Sequence, residues 1–454
     1  MTASLTAKYN VAGPRYTSYP TVPFWNTAAF CPSGWQQRLT TAFAESNYTD
    51  GISLYIHLPY CESLCTFCGC NKRITRNHGV EIPYIDTVLA EWALYCAWFP
   101  ERPRLAELHL GGGTPSFFAP AQLKRLLDGL LALADPVEWP DFGWEGHPGN
   151  TTPQHLQVLF DAGFRRVSFG VQDYDPVVQR AIHRRQSVGQ VQAVTEQARA
   201  IGYTSVSHDL VYGLPFQQIA SIQTTIGHTL RLRPDRLSLY GYAHVPWVKG
   251  TGQRGFREAD LPTGPERLAL YDAARSQLTE AGYHEIGLDH FALPADPLWQ
   301  AAQAGTLHRN FMGYTTSRTQ VLIGLGVSAI SDVGTAFMQN EKAIEAYQAR
   351  VARGELPVMR GHLLTPADRR VRRQIMGLMC RFRAPLLRND LTDAEWDALT
   401  QRLEPFRVDG LIDYSASELR VLPAGKPYVR TICMALDRYL MAEPAGTPLF
   451  SQTV

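Results

Sequence analysis

Between residues 52 and 243, six short apolar segments alternate with helical patterns, and no other feature constrains the fold as tightly. The segments Ile52–His57, Leu105–Leu110, Phe142–Glu145, Arg166–Val171, Ser205–Tyr212 and Leu237–Ala243 read as strands. A helix is expected over about 83–98. In the next helix, Leu123, Leu126, Leu127, Leu130 and Leu131 recur at i, i+3, i+4, i+7 and i+8. A short helix carrying Leu156, Leu159 and Phe160 stops at Gly163, and another ends near Gly202. A helix over about 266–281 and a short apolar segment over 284–288 follow. Strands that alternate with helices build a parallel sheet. Six units are too few for a closed eight-stranded barrel, so the pattern predicts an α/β fold, a partial (β/α)6 barrel. Sites in such a fold lie at the C-terminal ends of the strands. The unusual residues fall there: the cysteine loop, Gly111–Gly113, Glu145, Gln172, Asp209, Ala243 and His244. One pocket is expected to collect them.

Four of the eight cysteines lie within ten residues: Cys61, Cys65, Cys68 and Cys70. The first three have the spacing C-x3-C-x2-C. Three thiolates on one short loop can hold three irons of a four-iron cluster and leave the fourth iron open to a ligand; a four-cysteine site leaves no such opening. Zinc is the competing reading. Zinc sites pair two Cys or Cys/His couples across a longer stretch, and no second couple follows here. The single residue between Cys68 and Cys70 is also tight for one tetrahedral ion. Disulfides fit poorly, because Met1–Lys8 lacks the apolar core of a signal peptide and points to a reducing compartment. The spacing therefore favours a cluster that does chemistry. Cys31, Cys96, Cys380 and Cys433 are scattered and read as small buried hydrophobes.

A chain of 454 residues predicts two or three domains. We expect an N-terminal arm over 1–49, the barrel over 50–345 and a C-terminal domain over 346–454. Two prolines in Gly13–Pro20 bar a helix interior there, so the arm is read as extended. Thr365-Pro366 is a cap followed by proline at the first helical position. It starts a helix bearing Arg369, Arg370, Arg372 and Arg373. A hairpin around 411–421 and a last helix through Cys433 and Leu440 complete a small, mainly helical, winged-helix-like domain. Four arginines in five positions spread around more than half of a helix. They read as a solvated face, partly paired with acids of the barrel, against the rival of nucleic-acid binding. Basic and acidic residues nearly cancel, 43 against 42, which gives no sign of a global attraction to nucleic acid or membrane and leaves room only for a local patch. No apolar run is long enough to span a membrane. A soluble, cytoplasmic monomer is expected.

A glycine turn such as Gly111–Gly113 lets the backbone approach a small polar ligand closely. Glu145 and Asp209, read as lying at strand ends, suit ammonium or ribose hydroxyl partners. Arg184 suits a carboxylate, because its planar fork holds two oxygens.

Nine motifs recur in order: Pro14–Pro20, Cys61–Asn71, Gly111–Pro115, Gly170–Asp173, Asp209–Pro215, Tyr242–Pro246, Asp289–Ala292, His308–Thr316 and Gly326–Ser331. Together they resemble the radical S-adenosylmethionine (SAM) enzymes and, within them, the oxygen-independent coproporphyrinogen III oxidase (dehydrogenase) family, over nearly the whole chain. The resemblance implies a [4Fe-4S] cluster on Cys61, Cys65 and Cys68, with Cys70 not a ligand. It implies two molecules of SAM. The first would touch Tyr55, Gly112, Glu145 and Ile330, and the second Phe67, Gly113, Thr114, Gln172, Arg184, Asp209 and Ala243. Ala243 and Ile330 would act through backbone contacts and packing. The implied reaction runs through a 5′-deoxyadenosyl radical that takes a hydrogen from the β-carbon of a propionate. Loss of CO2 and an electron leaves a vinyl group, and two such rounds convert coproporphyrinogen III to protoporphyrinogen IX. An electron donor such as flavodoxin or ferredoxin and an unidentified acceptor are implied as partners.

The four propionates of that substrate call for cations. Arg15, His308 and Arg309 are candidates, with Tyr16 and Tyr19 as a lid. After Glu145, the run Gly146-His147-Pro148-Gly149-Asn150 departs from the family pattern of a hydrophobic residue followed by Asp-Pro-Arg. The rival readings are a haem-trafficking or a haem-degrading paralogue on the same scaffold. Such trafficking relatives lack the Tyr-rich arm and the Cys-Gly-Cys ending that this chain has.

Overall fold

The computed structural model describes residues 3–247, 252, 253, 255–386, 388–442 and 449–453. All six expected strands are present and parallel: β1 (Ile52–Leu58), β2 (Arg104–Gly112), β3 (Asp135–Gly146), β4 (Arg166–Gln172), β5 (Ser205–Tyr212) and β6 (Arg236–Gly241). The sheet continues past both edges. On one side run β8 (His290–Ala292) and β7 (His284–Gly287), both antiparallel. On the other, β9 (Val321–Leu325) pairs in parallel with β1, so that Tyr55 faces Gly324. Antiparallel strands β10 (Ile330–Asp332), β11 (Ala336–Asn340) and β12 (Val358–Leu363) extend that edge. The twelve strands form one sheet in the order β12-β11-β10-β9-β1-β2-β3-β4-β5-β6-β8-β7.

Side chains alternate across a strand, and the two faces of this sheet differ in kind. Leu54 and Ile56 of β1, Leu108 and Leu110 of β2 and Trp144 of β3 point outward. They join Trp92, Leu123 and Leu126 of the covering helices in the main core. The inner face is polar. Ser53 donates to Glu107 at 2.7 Å, His109 meets Glu145, and Ser168 donates to Asp209. Deeper in the barrel, Arg166 pairs with Asp141.

The first fifty residues differ from an arm extended throughout. Helices Ala3–Tyr9 and Pro32–Ser46 flank an irregular stretch. Trp35, Leu39 and Phe43 recur at i, i+4 and i+8 on the second helix and bury against the barrel core, with Phe43 stacked on Phe99 at 3.9 Å. The stretch between the helices is tied to the C-terminal region: Arg430 donates to the carbonyls of Gly13 and Pro14. The C-terminal region holds helices Pro366–Arg381 and Asp393–Val408, then a hairpin. Strand Arg383–Pro385, not foreseen, pairs with that hairpin. The expected last helix is broken into Val429–Met434 and Arg438–Ala442. Between the two, the Asp437 carboxylate accepts from the backbone N–H groups of Tyr439 and Leu440, starting the chain afresh. Among the described residues, no helix is long and apolar enough to cross a membrane.

Candidate active site

A cavity of about 380 Å³ lies at the C-terminal ends of β1–β5. Cys61, Cys65 and Cys68 line it, with Phe67 between them. Gly112, Gly113 and Thr114 form a second wall. Glu145, Gln172, Arg184 and Asp209 close it. Eleven residues singled out in the sequence thus meet in one place.

The cysteine loop is held by its backbone. Thr66 donates through N and Oγ1 to the carbonyls of Ile182 and Ala181, at 3.1 and 2.8 Å. Cys61 sits in a two-residue strand paired with Arg73–Ile74. Lys72 Nζ donates to the carbonyls of Cys68 and Cys70. Gln253 Nε2 bridges the carbonyls of Phe67 and Ala243, at 3.2 and 2.9 Å, so Ala243 supports the loop through its backbone. All eight cysteines are free thiols. Cys61 Sγ lies 3.2 Å from Thr114 Oγ1, and Arg184 Nη1 lies 3.7 Å from Cys65 Sγ. Burial pushes the Cys61 thiol up to about 11. A hydrogen bond from the Cys70 thiol, with help from Lys72, draws the Cys68 thiol down to about 6. Three soft sulfur donors around one cavity suit an iron–sulfur cluster.

The glycine wall is tight. Gly112 has φ +111°, and a Cβ there would lie 2.8 Å from the His57 ring. A Cβ on Gly113 would lie 2.6 Å from the Pro59 carbonyl carbon. The Gly113 N–H is bound to the Leu58 carbonyl at 2.8 Å, which packs the turn against the end of β1.

Burial pushes the Glu145 carboxyl up, but the His109 ring, 3.3 Å away, and the Gly112 N–H outweigh it and hold Glu145 below the usual range. Nearly half of the side chain, 47%, remains open to the cavity. Asp209 lies within β5, not at its end. Burial raises it to about 6, against the hydrogen bond donated by Ser168 Oγ at 2.6 Å. The Tyr55 ring stacks on that of His109 at 6.1 Å. Its hydroxyl meets His57 Nδ1 at 3.2 Å. Tyr55 and Ile330 do not line the cavity. Ile330 packs with Trp25 and Phe337 beyond β9. The departing run after Glu145 folds into a closed turn. His147 Nδ1 accepts from Gly149 N at 2.9 Å, and Asn150 Oδ1 accepts from Ser116 Oγ at 2.6 Å.

The expected substrate contacts separate. Tyr16 and Tyr19 are packing residues of the C-terminal core, each 1% exposed, and not the lid foreseen. Their hydroxyls meet Asp437 and the Arg438 N–H. Arg15 is committed to Asp289 at 3.0 Å and to the Gly241 carbonyl at 2.9 Å. His308 and Arg309 alternate along one strand of a hairpin, so they face opposite ways. His308 lines a separate cavity. Arg309 is buried over the Tyr314 ring, and its Nε and Nη1 have no partner. His290, with an unpartnered Nδ1, stands beside Tyr240 and Tyr314. His57, His109, Ser168 and His290 were not singled out in the sequence. Period-two alternation in their strands was the signal that could have found the first three.

The family model described as the Radical SAM superfamily matches residues 55–228. The oxygen-independent coproporphyrinogen III oxidase of Escherichia coli (strain K12) is 39% identical over 457 residues, covering 99% of this chain and 98% of that one. The Pseudomonas aeruginosa protein of the same name is 38% identical over 449 residues, covering 96% of each. The solved structure of Escherichia coli coproporphyrinogen III oxidase, described as a radical SAM enzyme, superposes with a TM-score of 0.87 at 37% identity. It covers 94% of this chain and 97% of that one.

Proposed function

This chain belongs to the oxygen-independent coproporphyrinogen III oxidases of the radical SAM superfamily, and on that premise we propose that it oxidatively decarboxylates two propionates of coproporphyrinogen III to vinyl groups, giving protoporphyrinogen IX. It is an oxidoreductase of porphyrin biosynthesis. The family carries a [4Fe-4S] cluster and SAM. Bound together, they supply the one-electron cleavage to a 5′-deoxyadenosyl radical that removes a propionate β-hydrogen.

The observation that carries this reading is the meeting of Cys61, Cys65 and Cys68 with Gly112, Gly113, Glu145 and Asp209 around one cavity. The three thiols would hold the cluster. The glycine wall admits a small ligand to close backbone contact. Glu145, kept anionic, would hold an ammonium group, and Asp209 a ribose hydroxyl. Phe67, Gly113, Thr114, Gln172, Arg184 and Asp209 line the same cavity, and a second SAM would be held by them. Tyr55 would support Glu145 through His109. Arg309 would hold a substrate propionate: it is buried and its Nε and Nη1 have no partner. Arg15 anchors the N-terminal stretch to the end of β6 and offsets Asp289. We assign residues 1–49 as the arm and 50–345 as the barrel, which the pairing of β12 extends to Leu363, and the C-terminal domain from there to 454 in place of the expected start at 346. A cytoplasmic monomer that takes electrons from a flavodoxin or ferredoxin completes the proposal.

The test is an anaerobic assay of reconstituted protein with reductant, SAM and coproporphyrinogen III. Protoporphyrinogen with 5′-deoxyadenosine is expected. Cleavage of SAM without a vinyl product would reassign the substrate, and no cleavage by a properly formed cluster would end the catalytic reading.

A further inference from the structure

The arginine-rich helix Pro366–Arg381 has no part in the catalytic assignment. Arg369, Arg372 and Arg373 share one of its faces. They open onto a cavity of about 830 Å³ between this helix and the segment 318–335. Arg381 and Arg318 join them from either side. Asp332 is the one carboxylate among the residues lining it, and both of its oxygens are taken by Arg372. Among the described residues, Arg318, Arg369, Arg373 and Arg381 form no ion pair. Four uncompensated guanidinium groups around one cavity repel one another and concentrate a positive field there. The same cavity has an apolar floor of Leu322, Val333 and Met376. A cationic rim over an apolar floor fits an amphipathic polyanion and not a bare phosphate. Arg370 turns away, toward Glu395 in another cavity, so the arginines do not form the continuous convex stripe that a nucleic-acid duplex would need.

The cavity is remote from the cysteine loop. Gln320 immediately precedes β9, which runs parallel to β1, and the cysteines follow the far end of β1. The separation is a strand's length, roughly 20 Å. The two cavities share no lining residue.

We propose that this cavity is a second, non-catalytic binding site for an amphipathic polycarboxylate of the tetrapyrrole class. The choice of a tetrapyrrole rests on the function proposed above; the polyanion chemistry does not.

The probe is coproporphyrin III, a stable tetracarboxylate, titrated by fluorescence into the anaerobically reconstituted full chain. Two sites per chain are expected. Arg369, Arg373 and Arg381 are exposed, so their replacement leaves the packing intact. R369A/R373A, and separately R381E, should weaken one site about tenfold or more, with kcat and KM for coproporphyrinogen III unchanged. Protoporphyrin IX dimethyl ester, without free carboxylates, should not bind there. A single site that the variants leave untouched would overturn the proposal. So would displacement of the second site by pyrophosphate alone, or duplex DNA binding lost in R369A/R373A while the porphyrin stoichiometry stays the same. Two sites without turnover would sink the catalytic reading and leave this one standing. Normal turnover with one site would do the reverse.

Discussion

Arg184 reaches across the cavity to Cys65: its Nη1 lies 3.7 Å from the Cys65 sulfur while Nη2 is fixed on the Gly170 carbonyl. A cation that donates to a ligand sulfur stabilises the more negative, reduced form of a cluster. R184A should therefore make the cluster harder to reduce, by roughly 50 mV for the loss of about one hydrogen bond. Redox titration of the reconstituted protein, followed by electron paramagnetic resonance, would read this. R184K should recover part of the shift. An unchanged potential would confine Arg184 to ligand binding.

Asp209 gives the site a pH limb. Burial holds its carboxyl at about 6, and Ser168 opposes that shift. Below that value it is neutral and accepts a ribose hydroxyl poorly. SAM cleavage should rise with pH through about 6 and level off, and D209N should lack that rise. Stability runs the other way. The native carboxyl keeps its proton between the ordinary value of 3.8 and about 6, where the unfolded chain has lost it, so this contribution falls as pH rises across that window. D209N should melt higher than wild type at pH 8 while binding SAM less well. A melting point equal to wild type at that pH would contradict the assigned burial.

Gly113 has no room for a side chain. The Cβ of G113A would press on the Pro59 backbone at 2.6 Å, and a backbone neighbour cannot swing aside. Overpacking of this kind costs about 1–3 kcal/mol. The strain falls on the end of β1, where the cysteine loop begins. G113A should lose iron on desalting faster than wild type, measured as iron per chain. Full retention would separate the glycine wall from the loop.

Arg309 is the test of the substrate pocket. Its Nε and Nη1 are buried without partners, whereas Arg15 is neutralised by Asp289 and Arg430 is spent on four backbone carbonyls. R309A should raise KM for coproporphyrinogen III at least tenfold, the loss expected for one charge-assisted contact. Cleavage of SAM in the absence of substrate should be unaffected. Equal loss of both would make Arg309 a residue of general packing.

Much of this was legible because strand periodicity and glycine turns are local signals. The six parallel strands, the cysteine loop and the Gly112–Gly113 wall follow from residues within a few positions of one another. What escaped depends on distant partners. β9 is too short to announce that it pairs with β1 across 260 residues of chain, and only Ile52↔Val321 and the positions after it reveal the match. Tyr16 looked like a lid because tyrosines beside prolines resemble a binding arm, yet Asp437, far along the chain, captures its hydroxyl. His109 and His290 are single inward-facing residues whose roles appear only when Glu145 and Arg309 are brought beside them.

Glu91 joins the far edge of the sheet to the cysteine end, and its loss should be felt at both. The side chain is fully buried and accepts from the Gly326 N–H at 2.9 Å, the Tyr347 hydroxyl at 2.7 Å and Asn340 Nδ2 at 2.6 Å. Gly326 in turn packs against the His57 carbonyl at the end of β1, 2.6 Å from where a Cβ would stand. E91A strands three buried donors, at about 1–3 kcal/mol for each that finds no substitute. A destabilisation of about 3 kcal/mol or more is expected, together with weaker cluster retention. Burial raises the Glu91 carboxyl to about 7 despite its three donors. Its native form therefore holds a proton that the unfolded chain has released between 4.5 and about 7, and stability falls as pH rises through that window. Denaturant unfolding at pH 5 and pH 8 should show this fall in wild type and less of it in E91A. An identical pH difference in the two proteins would mean that Glu91 stays ionised throughout, held by its donors against burial.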